Sequence, residues 1–345
     1  LSEPVVISRE DAHRLARRAC LATGASEATA TSLADATVSA ELHGHSNVGF
    51  PHLVDYLSSF VEGRINPAAE PTLTRLFPAF ISGDANHGIA QLGFDQAFEE
   101  LVTAARTYGI AIFCQKNSYP VGELGFYTRR LAERGLVAIA VSNADAMLAS
   151  GRGGRAVFGT NPFSLGFPLA PRRPPVVIDQ ASSVTAFVNI VKAANAGEQI
   201  PVGWAVDADG NDAIDPCKAL TGAMLPFGGP KGGNVALMVE LLAAGLQGGA
   251  WSLDIPSFTS GDQLATANLT IIAIAREDAD GSDLQSVTSQ IERLRSLGVY
   301  IPGLRGPERS DAFEQTVTIP ASVHAAIASY VLSAGDHDTR NSALR

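Results

Sequence analysis

Four short runs of almost unbroken apolar residues limit what this chain can fold into. They are residues 109–114 (GIAIFC), 136–143 (LVAIAVSN), 174–179 (PPVVID) and 268–275 (NLTIIAIA). Runs this short, without a polar face, fit strands covered on both sides of a sheet. The first two each follow a helical repeat. Phe94, Ala97, Phe98, Leu101, Val102 and Ala105 recur at helical spacing before Gly109; Leu124, Tyr127 and Leu131 do so before Gly135. A glycine just past the last periodic residue is where a helix stops. The class is therefore mixed helix and sheet, with strand direction left open.

The first sixty residues read as helices alone. Ser8 caps the first, with Asp11 three positions on in a capping-box pattern, and Gly24 ends it. A second starts near Ser26, and a third carries Leu53, Tyr56, Leu57 and Phe60 before Gly63. These stripes are narrow and must pack on something else. Further helices are expected over 183–196, 231–248, 283–297 and 321–333. Residues 143–175 are rich in Gly, Pro and Asn and too long for an idle connector, so they are expected to carry function.

Composition excludes several classes. The chain of 345 residues is 46% apolar and 17% charged, enough for a sizeable core. Its net charge of −10 disfavours a nucleic-acid or acidic-membrane binder, which needs a basic face. Cys20, Cys114 and Cys217 are too few and scattered for a disulfide framework or a zinc site, which fits a reduced, cytoplasmic setting. No secretory leader layout opens the sequence, and no stretch is long and apolar enough to span a membrane.

The common motifs fail on context. Residues 151–156 match the loose GxGxxG/A pattern, but the preceding strand ends near Asn143, too early for a Rossmann turn. Residues 228–232 lack the ending of a phosphate-binding P-loop. His43, His45 and His52 are not spaced to share one helix face, so no metal is expected.

A series of segments in register resembles one family. These are 56–67 (YLSSFVEGRINP), 82–88 (SGDANHG), Asn117-Ser118 with Gly122, 141–144 (VSNA), 159–162 (GTNP) and 178–181 (IDQA). The series continues with 201–207 (PVGWAVD), Gly210, Asp215-Pro216, 226–232 (PFGGPKG) and 301–303 (IPG). Together they resemble the malate/L-lactate dehydrogenase family, which includes ureidoglycolate, sulfolactate and diketogulonate dehydrogenases and cyclic-imine reductases. The resemblance implies a nicotinamide-dependent oxidoreductase of the α+β class, with a non-Rossmann dinucleotide-binding domain built on a largely antiparallel sheet. It implies an N-terminal helical module over 1–78, a cofactor domain over 79–282, and a C-terminal segment over 283–345 packing with the first module. It also implies a homodimer. Carried over by position, NAD or NADP would be held by Ser142, Asn143, Thr160, Asn161, Asp179, Gln180, Ala181, Lys231, Gly232, Gly303 and Arg305. The chemistry agrees: a helix start with a lysine suits a pyrophosphate, and Ser, Thr and Asn suit ribose and amide groups. Close packing would equally explain Gly228, Gly229 and Gly232, and capping of the next helix would explain Asp179.

The departures fall on the chemistry. Where the family shows Ser-His, this chain has Asn47 and Val48; His52 stands where an arginine would hold a substrate carboxylate; Pro120 occupies a second histidine position; and Asn189 replaces a familiar Asp or Lys. Asn47, Val48, His52 and Pro120 would therefore line the substrate. Val48 and Pro120 cannot donate or accept a side-chain proton, and a neutral histidine is no bidentate clamp. His45, His52, Tyr119 and Glu123 are the candidates for a substitute acid. An iminium carbon is already electrophilic and needs less acid assistance than a ketone. The expectation is a reduced nicotinamide nucleotide reducing an imine or keto group of a small molecule in a specialised biosynthetic pathway. A cyclase, isomerase or lyase on the same scaffold is the alternative, and a cofactor-binding pseudoenzyme the second.

Overall fold

The computed structural model describes residues 3–277, 283–304 and 316–342, with side chains through residue 332. The chain opens with β1 (Val5–Ser8), α1 (Arg9–Ala22), α2 (Glu27–Leu42), a 3₁₀ turn (Ser46–Val48) and α3 (Phe50–Val61). Then follow β2 (Thr72–Phe77), β3 (Phe80–Asp84), α4 (Ala90–Tyr108), β4 (Ile110–Ser118), α5 (Leu124–Glu133) and β5 (Val137–Asn143). The middle holds β6 (Leu148–Ala149), β7 (Ala156–Phe158), β8 (Phe163–Phe167), β9 (Val176–Gln180), α6 (Phe187–Ala196), β10 (Ala205–Val206), α7 (Pro216–Leu220) and β11 (Ala223–Met224). It ends with α8 (Pro230–Glu240), a π turn (Leu241–Gly245), β12 (Ala267–Ile274), α9 (Leu284–Ser296), β13 (Thr316–Ile319) and α10 (Ala321–Ser342).

The punctuation read from the sequence sets these boundaries. Ser8 Oγ accepts from Asp11 N–H and donates to the Asp11 carboxylate at 2.7 Å. Ser26 caps α2 by accepting from Thr29 N–H. Gly109 closes α4 at φ 82°, a left-handed position that favours glycine.

Seven strands form the central sheet in the order β2-β3-β4-β12-β5-β8-β9. Every neighbouring pair is antiparallel except β3 with β4. The apolar runs lie at its centre, as β4, β12 and β5, and both faces of these strands are covered. α4 and α5 pack Phe94, Leu101 and Tyr127 against Phe113, Ala138 and Ile271 on one face. Val239 and Ala243, from α8 and the π turn, meet Val141 on the other. The resulting α+β class, with a sheet that is antiparallel but for one pair, is as the resemblance implies.

Both chain ends build the helical part. β1 pairs with β13, Val5 opposite Ile319, and Ile327 of α10 joins Ala16, Leu33 and Leu57 in one core. A smaller sheet, β10-β11-β6-β7, packs Leu148, Ala205 and Met224 against Ile190 of α6 and Ala236 of α8.

Several expectations need correction. A boundary after residue 78 would cut the β2–β3 hairpin, whose strands pair from Thr72–Asp84 to Phe77–Phe80; residues from Thr72 onward belong to the central sheet. The segment from 283 does not act as one piece. α9 packs Val287, Ile291 and Leu294 against Leu169 and Val176 at the edge of the central sheet, and among the described residues it is β13 and α10 that join the first helices. The Gly/Pro/Asn-rich stretch contains β6, β7 and the sheet strand β8. The helix expected over 231–248 is α-helical only to Glu240, then widens into the π turn.

Candidate functional site

The segments assigned to the dinucleotide come together at the end of β9 and the start of α8. Ser182 N–H donates to Thr160 O at 2.8 Å, Ser182 Oγ to Asn161 O at 2.7 Å, and Phe227 N–H to Ser182 O at 3.0 Å. Residues 160–161, 182 and 227 are thus laced together, with the exposed Gln180 and half-buried Ala181 at the rim. Gly228 and Gly229 lie at φ 60° and 63°, and a Cβ added to either would meet nothing within 4 Å. That leaves open space before α8, whose first N–H groups lack intrahelical acceptors, beside the exposed Lys231. Such an end suits a pyrophosphate. Gly232 and Gly233 serve packing instead: added Cβ atoms would lie 2.0 Å from Phe227 O and 2.5 Å from Ser150 O. Gly303, at φ 82°, is likewise pressed on β9, 2.6 Å from Val177 N by the same measure. Arg305 lies outside the described residues.

Three of the polar residues assigned to the cofactor turn their side chains inward. Ser142 Oγ donates to Asn268 O at 2.7 Å. Asn143 Nδ2 donates to Glu240 Oε1 at 3.1 Å, and Asn161 Nδ2 to Glu240 Oε2 at 2.7 Å. Ser252 adds its N–H at 2.6 Å and its hydroxyl at 2.7 Å to the same carboxylate. Glu240 is buried, and its four donors hold β5, the loop before β8 and α8 in register. Asn161 Oδ1 remains buried without a partner among the described residues, an acceptor that the amide or hydroxyl of a nucleotide could satisfy. The open helix start and this acceptor fit a dinucleotide; the side chains of Ser142 and Asn143 are engaged in the frame.

A second cluster joins the helical module to the sheet. His45, the residue before the 3₁₀ turn, places Nε2 3.7 Å from Glu123 Oε1. Glu123, just before α5, is buried and accepts from Arg129 Nη2 at 2.5 Å; Arg129 Nη1 donates to Ser39 Oγ at 3.2 Å. Glu123 Oε2 is buried without a partner among the described residues, while His45 and Arg129 both face Oε1. Asp179, at the end of β9, accepts from Gly125 N–H at 2.7 Å. It therefore caps α5, not the helix that follows it. Burial, and secondly the charge of Glu123, push its carboxyl up to about 7.

The other candidates stand apart from that cluster. Tyr119 is buried, accepts from Ser59 Oγ at 3.1 Å and donates to Phe258 O at 3.3 Å. His52 has only 12% of its side chain exposed, bonds Asp55 at 3.0 Å and lies among Tyr56, Tyr119 and Phe258. Both sit within the aromatic packing of the helical core. Pro120 accepts from Tyr56 OH at 2.5 Å through its carbonyl. Asn47 and Val48 lie on the 3₁₀ turn beside His45, Asn47 exposed and Val48 half-buried. Asn47 Oδ1 accepts from Lys192 Nζ at 2.8 Å, so α6 reaches across to this turn. Sequence reasoning missed Arg129, Glu240 and Lys192. Glu240, a carboxylate inside an apolar helix repeat, was the one with a readable signal.

Comparison with known proteins agrees with this fold. Residues 7–328 match the model of a family described as malate/L-lactate dehydrogenase. A Delta(1)-pyrroline-2-carboxylate reductase of Ancylobacter novellus is 33% identical over 95% of this chain and 96% of its own. A (2R)-3-sulfolactate dehydrogenase (NADP(+)) of Chromohalobacter salexigens is 32% identical over 95% and 98%. The crystal structure of delta1-piperideine-2-carboxylate reductase from Pseudomonas syringae superposes with a TM-score of 0.80 at 32% identity, covering 87% of this chain and 91% of that one. The antiparallel frame, the convergent glycine-rich segments and these likenesses lead to one conclusion: the chain is an oxidoreductase belonging to the malate/L-lactate dehydrogenase family.

Proposed function

We propose that this chain is an NAD(P)H-dependent reductase of a cyclic imine, within a wider class that includes keto substrates, acting in a biosynthetic pathway. The nucleotide, when bound, supplies the hydride. Lys231 and the start of α8 would hold its pyrophosphate, with Thr160, Gln180 and Ala181 bordering it on the β9 side. The relatives named pyrroline-2-carboxylate and piperideine-2-carboxylate reductase support a C=N substrate.

The observation that carries the reading is the change at the acid position. Val48 stands where the family resemblance implies the proton donor, while His45, the residue before that turn, stands against Glu123. His45 protonates the imine nitrogen, which makes the adjoining carbon the electrophile. When hydride adds there, the C=N π pair becomes the amine lone pair. The buried Glu123, oriented by Arg129, holds the imidazolium in place. Ketone reduction also demands a proton, for an alkoxide, so it is the relatives' C=N substrates that favour the imine.

Two copies of the chain would associate through the exposed apolar patch of Leu237, Met238, Leu241, Trp251 and Leu253, next to the α8 cleft. The three cysteines carry no disulfide, in keeping with a cytoplasmic setting. The deciding experiment is thermal stabilisation by NAD, NADH, NADP and NADPH, followed by nicotinamide absorbance with a panel of cyclic imine and 2-keto carboxylates. A bound nucleotide stabilises by about 2.7 kcal/mol at a hundredfold excess over Kd. We expect stabilisation by a reduced form and oxidation with an imine. No stabilisation, or no oxidation across the panel, would overturn the reading.

A further inference from the structure

We infer that Lys192 anchors the anionic group of the substrate, taking over from an arginine that this chain lacks. The inference rests on the imine-reductase reading above and gives its substrate a carboxylate. It begins with His52, which stands at the sequence position of the usual carboxylate clamp. His52 cannot act as one here: it is bonded to Asp55, closed in by three aromatic rings, and nearly buried. Arg129, which shares Glu123 with His45, is buried on Glu123 and Ser39. Neither His52 nor Arg129 is therefore free to clamp a carboxylate approaching the 3₁₀ turn.

Lys192 supplies a cation from the other side. It is one of four lysines in the chain and projects from α6, the helix that follows the β9 loop. Its ammonium crosses to the 3₁₀ turn and donates to Asn47 Oδ1 at 2.8 Å, the residue next to Val48 and two from His45. That acceptor is neutral, and among the described residues no carboxylate forms an ion pair with Lys192. An ammonium carries three donors, so two remain for a ligand. The residue is exposed, which leaves it open to an incoming anion. The asparagine at position 47 has a use here that a serine could not match: its longer carbonyl arm holds the ammonium over the turn. A small imine bearing a carboxylate would then set its anionic end on Lys192 and its nitrogen toward His45. A point-charge lysine tolerates a wider range of anion geometry than a forked guanidinium.

The test compares a cyclic imine 2-carboxylate with the same ring lacking the carboxylate, in the wild type, Lys192→Met, Lys192→Arg and Asn47→Ala. In Lys192→Met the ratio of kcat/KM for the carboxylate to that for the neutral ring should fall about 10- to 100-fold, mostly through KM, as loss of a charge-assisted hydrogen bond implies. Lys192→Arg should restore most of it, and Asn47→Ala should give a smaller fall. An unchanged ratio in Lys192→Met overturns the inference. If the wild type reduces neither ring, the reductase reading fails separately. The anchor is then read by thermal stabilisation with the saturated cyclic amino acid against the amine lacking its carboxylate. Stabilisation by the amino acid alone, lost in Lys192→Met, supports it; equal behaviour of wild type and variant ends it.

Discussion

Asp179 carries a charge problem that the fold solves by capping. Its carboxyl accepts from Gly125 N–H at the start of α5, yet it is half-buried and feels the charge of Glu123. An ordinary carboxyl at 3.8 is thereby raised to about 7. Between those values the folded chain holds this proton and the unfolded chain does not. Stability therefore falls as pH rises from about 4 to 7. Asp145, raised to about 6 by burial, adds to the slope in the same direction. Asp179→Asn keeps an acceptor for Gly125 N–H and removes the titration. The measured Tm of that variant should decline less steeply than that of the wild type across this window. Equal slopes would place the perturbed group elsewhere. The sequence singled the residue out through its motif. Its role as a cap was legible too, but for the wrong helix, because α5 precedes it in sequence by more than fifty residues.

At the scale of elements, the cleft depends on one carboxylate that no motif marks. Glu240 ends α8 at the point where the helix widens into a π turn, and its four donors come from Asn143, Asn161 and Ser252. All four need an acceptor, so a glutamine would turn an amide group toward at least one of them. Each buried donor left unmatched costs about 1–3 kcal/mol. Glu240→Gln should lower stability by about 3 kcal/mol in denaturant titration and weaken nucleotide binding, since Asn161 and the start of α8 lose their common tether. Normal stability with normal binding would count against that coupling. The helices and central strands themselves were readable, because caps, glycine stops and apolar runs are local signals. The short strands β6, β7, β10 and β11 were not: two or three residues cannot show a period, and only pairing with distant segments makes them strands.

For the molecule as a whole, the exposed apolar residues beside α8 have a direct consequence. Leu237, Met238 and Leu241 share one face of the helix, and Trp251 closes on Gly245 next to them. If this face pairs with a second copy, Leu241→Asp should shift the mass measured by light scattering from dimer to monomer. A wild-type monomer, or a variant that stays dimeric, would rule that pairing out. By itself the sequence determined the α+β class, the helical caps and stops, the core strands and the family, because each is written in neighbouring residues or in motifs that keep their order. Only the tertiary structure decided that His45 meets Glu123, that Asn143 and Asn161 face a buried carboxylate, that Lys192 reaches Asn47, and that β2 belongs with the sheet. Those contacts join positions far apart in the chain, and a side chain's partner depends on which distant backbone packs beside it.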